Sequence, residues 1–238
     1  MSAFAPDVLG LQEVDYLLGR SDSQNQVAQI ARLMGTPHWA FAPSVMGSPD
    51  EKWRKPGRGD IKVVTESTPG SPGYGIGLVS KIPVTSWHRL ELNLAPIGIF
   101  MKLPRNGKIK RIYVHDHPRS AIAAVLENGW LVINTHLSFV PFFNFMQLLQ
   151  VKRWTRKLPV KDKAKIIIMG DFNLRFSKLV RGVNWNSLAV ERTFPSWSPT
   201  VQIDYFLSQK VASEDVVLVE LAPSGISDHL PLIVDVDQ

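Results

Sequence analysis

Five polar motifs, each attached to an apolar run, constrain this chain most. Leu9-Gly10-Leu11-Gln12-Glu13 comes first, and Asn134-Thr135-His136-Leu137 lies mid-chain. Ile166-Ile167-Ile168-Met169-Gly170-Asp171-Phe172-Asn173 and Ile203-Asp204-Tyr205 follow, and Ser227-Asp228-His229-Leu230-Pro231 precedes a last apolar stretch. Apolar runs of about four to eight residues bounded by turn formers read as buried strands. A polar group where such a strand ends is delivered, on a rigid support, to the edge of a sheet. Carboxylates held that way suit a hard cation such as Mg²⁺, which takes oxygen ligands. The pattern points to metal-assisted chemistry on phosphate.

Composition narrows the classes. With no cysteine, disulfides, thiolate metal sites and thiol nucleophiles are excluded. No run reaches the ~18 apolar residues of a membrane helix. Met1 to Asp7 lacks the basic region and long apolar stretch of a signal peptide, so a soluble, cytoplasmic protein is expected. At 238 residues and 45% apolar, the chain has material for a sizeable core. It shows no repeat or linker, and residues 1–238 read as a single domain. The net charge of +6 is uneven: Lys152–Lys165 carries seven Lys or Arg against one acid, Asp162, and Lys102–Arg111 carries five against none. A basic face favours nucleic acid or anionic lipid, although a solvated helix face has the same composition.

The spacing of Val27, Ile30, Ala31 and Met34 predicts a helix over Ser23–Met34, closed by Gly35. A second helix is predicted over Phe145–Lys157. Strands are predicted at Val8–Leu11, Trp39–Ala42, Tyr74–Ser80, Ile97–Leu103, Ile109–Val114, Ser120–Leu126, Trp130–Thr135, Lys165–Met169, Val201–Leu207, Val216–Leu221 and Leu232–Val236. Asn128-Gly129 marks a hairpin. Pro43–Gly73 reads as a long loop, a length that is usually functional or disordered. The whole is mixed α/β.

Each motif has a functional and an ordinary reading. Asp171 can hold a nucleophilic water, and Asn173 can donate to a phosphoryl oxygen; both are also common turn formers. Glu13 is a candidate Mg²⁺ ligand, with nearby Asp15 read as the solvated carboxylate. His136 is a candidate proton donor or a structural histidine. Asp204 enters an apolar strand and needs a partner such as an imidazolium. Asp228 and His229 suit metal binding and phosphate contact or base catalysis, or else simple turn capping. His38, His88, His115 and His117 receive no role. The aromatic stretch Phe139–Met146 could meet lipid or stack on bases, or form the buried start of a helix.

Taken in order, the motifs resemble the endonuclease/exonuclease/phosphatase superfamily, the DNase I-like metal-dependent phosphoesterases. The resemblance runs from about Pro6 to Val236. Pro6–Glu13 matches the metal-ligand motif, Gly75–Val84 looks like the next conserved strand and turn, and Pro118-Arg119-Ser120-Ala121 looks like a further family segment. The resemblance implies two packed mixed β-sheets flanked by helices, a four-layer sandwich with the site at one edge. It implies Mg²⁺, with Mn²⁺ possible, held by Glu13 and Asp228. Asp171 and Asn173 would align water and phosphoryl group, and His229 would contact phosphate, oriented by Asp204. His136 would match an imidazole used by some branches, and Arg119 would bind phosphate or pair structurally. Family members begin with a strand ending in Asn; here Met1 lies only twelve residues before Glu13. As written, the sequence is therefore expected to lack that strand, through a misassigned or alternative start. A phosphodiesterase acting on nucleic acid is the expected function. A sphingomyelinase-like lipid phosphodiesterase and a catalytically degenerate binding protein are the alternatives.

Overall fold

The computed structural model describes residues 5–105, 108–159, 165–219 and 225–236, without the side chains of 102–108 and 215. The first sheet contains β1 (Val8–Tyr16), β2 (His38–Gly47), β3 (Trp53–Arg54) and β4 (Gly73–Ser80) in the order β1-β4-β2-β3, all antiparallel. Between β1 and β2 lies α1 (Gln26–Met34). After β5 (Val84–Glu91) the chain forms a separate hairpin, β6 (Gly98–Arg105) and β7 (Lys108–His115). It then returns through β8 (Ser120–Leu126) and β9 (Leu131–His136), crosses over α2 (Phe143–Trp154), and enters β10 (Ile166–Asp171). A short α3 (Ser177–Arg181), then β11 (Asn186–Ser187) and β12 (Asp204–Ser208) complete the second sheet, ordered β11-β12-β10-β9-β8-β5. A last pair, β13 (Val216–Val219) and β14 (Ile233–Val236), stands beside them.

The alternation of apolar residues explains how the layers stack. Ile76 and Leu78 of β4 and Ala40 and Ala42 of β2 meet Ile122 and Ala124 of β8, Val132 of β9, and Ile167 and Met169 of β10 between the sheets. The opposite face of the second sheet, with Ile133, Ile166 and Ile168, packs on Leu148 and Val151 of α2. The opposite face of the first sheet, with Val14, Phe41 and Val79, packs on Val27 and Ala31 of α1. Each fully buried Ile or Leu contributes about 1.5–3 kcal/mol. The result is the four-layer helix–sheet–sheet–helix sandwich expected from the sequence.

Local signals set the boundaries. α1 starts later than its spacing predicts because Asn25 caps it, its side chain accepting from Ala28 N at 3.1 Å, while Ser23 takes a left-handed φ of 55°. β2 continues through Pro43 to Gly47, so the expected loop over Pro43–Gly73 is shorter; a bulge between Pro43 and Val45 accommodates the proline. β12 begins at Asp204 rather than Val201. The short α3 and β11 carry too few residues to show a period. Among the described residues β4 is the only strand paired with β1, which is an edge strand, and no helix is long and apolar enough to cross a membrane.

Candidate active site

Three strand ends lie side by side. β9 and β10 run parallel with Asp171 opposite His136, and β10 and β12 run antiparallel with Asp171 opposite Asp204. His136, Asp171 and Asp204 therefore form one row across three neighbouring strands. His136 Nε2 lies 3.4 Å from Asp171 Oδ2 and 4.0 Å from Glu13 Oε1. His229 arrives from the loop before β14 and places Nδ1 2.8 Å from Asp204 Oδ2. One ligand atom each of Asp171, Asp204 and His229 falls within 4.8 Å of the others.

The row is built by close backbone approach. Gly170 has φ 131°, and a Cβ there would lie 1.9 Å from the Thr135 carbonyl oxygen. Only glycine lets β10 and β9 meet at this point. Beyond Asp171 the chain turns at Asn173, with φ 52°. Asn173 N donates to Asp171 Oδ1 at 2.8 Å, and its Nδ2 donates to Asp171 Oδ2 at 3.2 Å and to Leu137 O at 3.1 Å. In this state the Asn173 amide holds Asp171 in place. Asn144 of α2 braces the turn by donating to Asn173 O at 2.9 Å.

Glu13 is aimed by a bulge. The β1–β4 register jumps from Leu11↔Gly77 to Val14↔Gly75, and Glu13 adopts φ 57° with its side chain 66% exposed. Gln12 turns inward and donates to Asn134 Oδ1 at 2.6 Å. Asn134, fully buried on β9, donates in turn to Leu11 O at 2.9 Å and Gly77 O at 2.8 Å. One side chain thus ties the two sheets together behind the bulge. The sequence reading of Asp15 is corrected here: Asp15 is buried, and Arg20 grips it with both Nε and Nη2 at 2.9 and 2.7 Å. Because the bulge shifts the alternation, Glu13 faces solvent and Asp15 does not.

The His229 loop is pinned from the segment before β12. Leu230 N donates to Thr193 O, and Ser196 N to Asp228 O, each at 2.7 Å. Thr193 Oγ1 donates to Asp204 Oδ2, the oxygen that also receives His229. The Phe194 ring lies 5.1 Å from the imidazole. Asp228 itself is exposed and stands outside the Asp171–Asp204–His229 group.

The electrostatics of the row diverge. Burial, then the charge of Asp204, pushes the Asp171 carboxyl up to about 7. Burial alone would lower His229, but its hydrogen bond to Asp204, followed by the charges of Asp204, Asp171 and Asp228, lifts it to about 9. Burial, then Arg119, holds His136 well below the usual imidazole range. Near neutral pH the row holds a carboxyl poised to exchange a proton, an imidazolium and a neutral imidazole.

Arg119 lies behind them. It is 2% exposed, its Nε and Nη2 donate to Asp116 Oδ1 at 3.2 and 3.0 Å, and its Nη1 has no hydrogen-bond partner among the described residues. Two neighbours carried no sequence signal. His117, assigned no role above, stands edge-on to Tyr74 at 5.5 Å, and burial, then Arg119, lowers it to about 4. Tyr74 lies near Glu13; burial first, then the charge of that carboxylate, raises its phenol.

The basic run of the second helix is partly structural. Lys152 donates to Val180 O and Arg181 O, lies 5.4 Å over Trp185, and is lowered by burial to about 8. Arg153, Arg156 and Lys157 are exposed, whereas Lys161 and Lys163 lie outside the described residues. The aromatic stretch divides: Val140 is buried, and Phe142, just before α2, is 67% exposed.

The Endonuclease/Exonuclease/phosphatase family model matches residues 1–229. The chain belongs to that family. Membership makes it, at that level, a hydrolase of phosphate esters. No curated protein matches the sequence. Solved structures share the fold. The catalytic domain of human Nocturnin with bound sulfate is 21% identical at a TM-score of 0.55, covering 98% of this chain and 81% of that one. A mannosyl-6-phosphatase from Bacteroides thetaiotaomicron is 16% identical at 0.54, covering 98% and 85%. A family protein from Leptotrichia buccalis is 12% identical at 0.57, covering 98% and 87%.

Proposed function

We propose that this family member is a divalent-metal-dependent phosphodiesterase with nucleic acid as its leading substrate. The observation that carries the reading is the Asp171–Asp204–His229 group, in which burial and then the charge of Asp204 raise a carboxyl, and an ion pair with Asp204 outweighs burial to raise an imidazole, both above their usual values. The donor set suits a hard dication, because Glu13 offers an open carboxylate beside the row. Glu13 would hold the ion, joined by Asp228 from the loop that carries His229, and an oxygen-rich ligand set of this kind accepts Mn²⁺ as well as Mg²⁺. Such an ion, when bound, supplies Lewis-acid polarisation of the phosphoryl oxygens.

The side chains supply the rest. Asp171 takes the proton of the attacking water as its oxygen bonds to phosphorus. Asn173 fixes the Asp171 carboxylate. The bond from phosphorus to the leaving oxygen breaks, and that oxygen takes up a proton from solvent. His229, protonated and oriented by Asp204, faces the negative charge carried by the phosphoryl oxygens, with the buried Arg119 guanidinium adding positive charge from behind. His136 stays neutral and packs against Asp171. The exposed cations Arg153, at the end of α2, and Arg156 and Lys157, just after it, favour a polyanion.

A lipid phosphodiester is the second reading, favoured by the exposed ring of Phe142. A panel of single- and double-stranded DNA, RNA, a simple phosphodiester, a phosphomonoester and sphingomyelin, each with Mg²⁺ and with chelator, tests both. Turnover of the nucleic acids and simple diester, lost on chelation, supports the proposal. Turnover of the monoester or sphingomyelin alone sinks it.

A further inference from the structure

The β6–β7 hairpin belongs to neither main sheet. Its pairing runs from Gly98↔His115 at the base to Arg105↔Lys108 at the far end. Alternation divides it into two faces. Ile99, Met101, Ile112 and Val114 are half-buried, whereas Phe100, Arg111, Tyr113 and His115 are exposed. A two-stranded ribbon is marginal alone, and an open aromatic face is a feature that ordinarily has a partner.

The exposed face is organised. Phe100 and Tyr113 are cross-strand partners in edge-to-face contact at 5.2 Å, and Tyr113 meets His115 in the same way at 4.9 Å. The Arg111 guanidinium lies 4.5 Å from the Phe100 ring centre, and Phe100 is still 59% exposed. No acidic residue occurs between Lys102 and Arg111. The base of the hairpin leads directly into the site: His115 is followed by Asp116, His117 and Arg119.

We propose that this face binds single-stranded nucleic acid flanking the scissile phosphate, an inference that rests on the nucleic-acid reading above. Phe100 and Tyr113 supply π-faces on which bases stack, and Arg111 neutralises backbone phosphate. The position of the aromatics decides against a membrane. The rings pair in the basal half of the ribbon, Phe100↔Tyr113, while the far end closes on a pair of basic residues, Arg105↔Lys108, instead of an apolar tip.

Fluorescence anisotropy with labelled oligo(dT) and oligo(U), in EDTA so that nothing is cleaved, tests the proposal on the full chain. The double variant Phe100→Ala/Tyr113→Ala is expected to bind about tenfold or more weakly. Arg111→Gln is expected to weaken binding and to lower the salt slope by about one. Thermal midpoints and turnover of a simple phosphodiester should be unchanged in both. Wild-type binding that the variants retain, or no binding at all, overturns the proposal. Sedimentation with phosphatidylserine vesicles that depends on Phe100 and Tyr113, without oligonucleotide binding, overturns it in favour of a membrane. Hairpin-dependent oligonucleotide binding by a protein that hydrolyses no diester leaves this inference standing and removes the catalytic reading instead.

Discussion

His229 Nδ1 donates to Asp204 Oδ2 across 2.8 Å, and the same oxygen accepts the hydroxyl of Thr193. This pair keeps the imidazole charged while Asp171, opposite Asp204 in the ladder, is driven toward its neutral form. One half-buried carboxylate thus raises both of its neighbours, adding to the effect of burial at Asp171 and opposing it at His229.

The pH profile should report that coupling. The proposed mechanism uses Asp171 ionised and His229 protonated, so kcat/KM is expected to rise through about 7 and fall through about 9. Asp204→Asn removes the charge that raises both groups, so both limbs should move to lower pH. An alkaline limb that stays fixed in that variant contradicts the role given to Asp204.

Metal dependence is the second expectation. Chelation should abolish hydrolysis, and Mg²⁺ or Mn²⁺ should restore it. Glu13→Gln should raise the half-saturating metal concentration by about tenfold or more, equivalent to about 1.4 kcal/mol. The open, 66% exposed Glu13 side chain makes this variant benign to folding. Titration of activity against metal separates that result from simple loss of protein.

Asp116 is expected to matter through stability. It is the ion-pair partner of Arg119, and both side chains are almost fully buried. Removing one member strands the other charge, which typically costs about 3–5 kcal/mol. Asp116→Ala should therefore lower the denaturant midpoint strongly in chemical unfolding, whereas Asp228→Ala, at an exposed side chain, should not.

Gly170→Ala tests the close approach beneath the row. The added methyl group meets the Thr135 carbonyl, and φ 131° is itself unfavourable for alanine. A loss of about 2–4 kcal/mol is expected, with displacement of Asp171 and reduced kcat. Wild-type stability in this variant contradicts the geometry.

Much of the site was legible because its residues close apolar runs. His136 and Asp171 end strands, and Asp204 starts one, so period and polarity alone mark them. The register that aligns them was not, since it depends on long-range pairing of β9, β10 and β12. The exchange of roles between Glu13 and Asp15 was also hidden. Regular alternation puts both on one face, and only a bulge, clamped by Asn134 more than a hundred residues away, separates them. His117 and Tyr74 reach the site through tertiary packing and have no local signature. The free-standing hairpin showed its two strands in sequence, but its separation from both sheets is a fact of assembly.

The most direct test compares wild type with Asp171→Asn in Mg²⁺-dependent hydrolysis of a phosphodiester. The account expects wild-type turnover and a loss of about a hundredfold or more in the variant, the scale of a general-base contribution, at unchanged thermal stability or better. Equal turnover by the two proteins would contradict the central claim that Asp171 is the base.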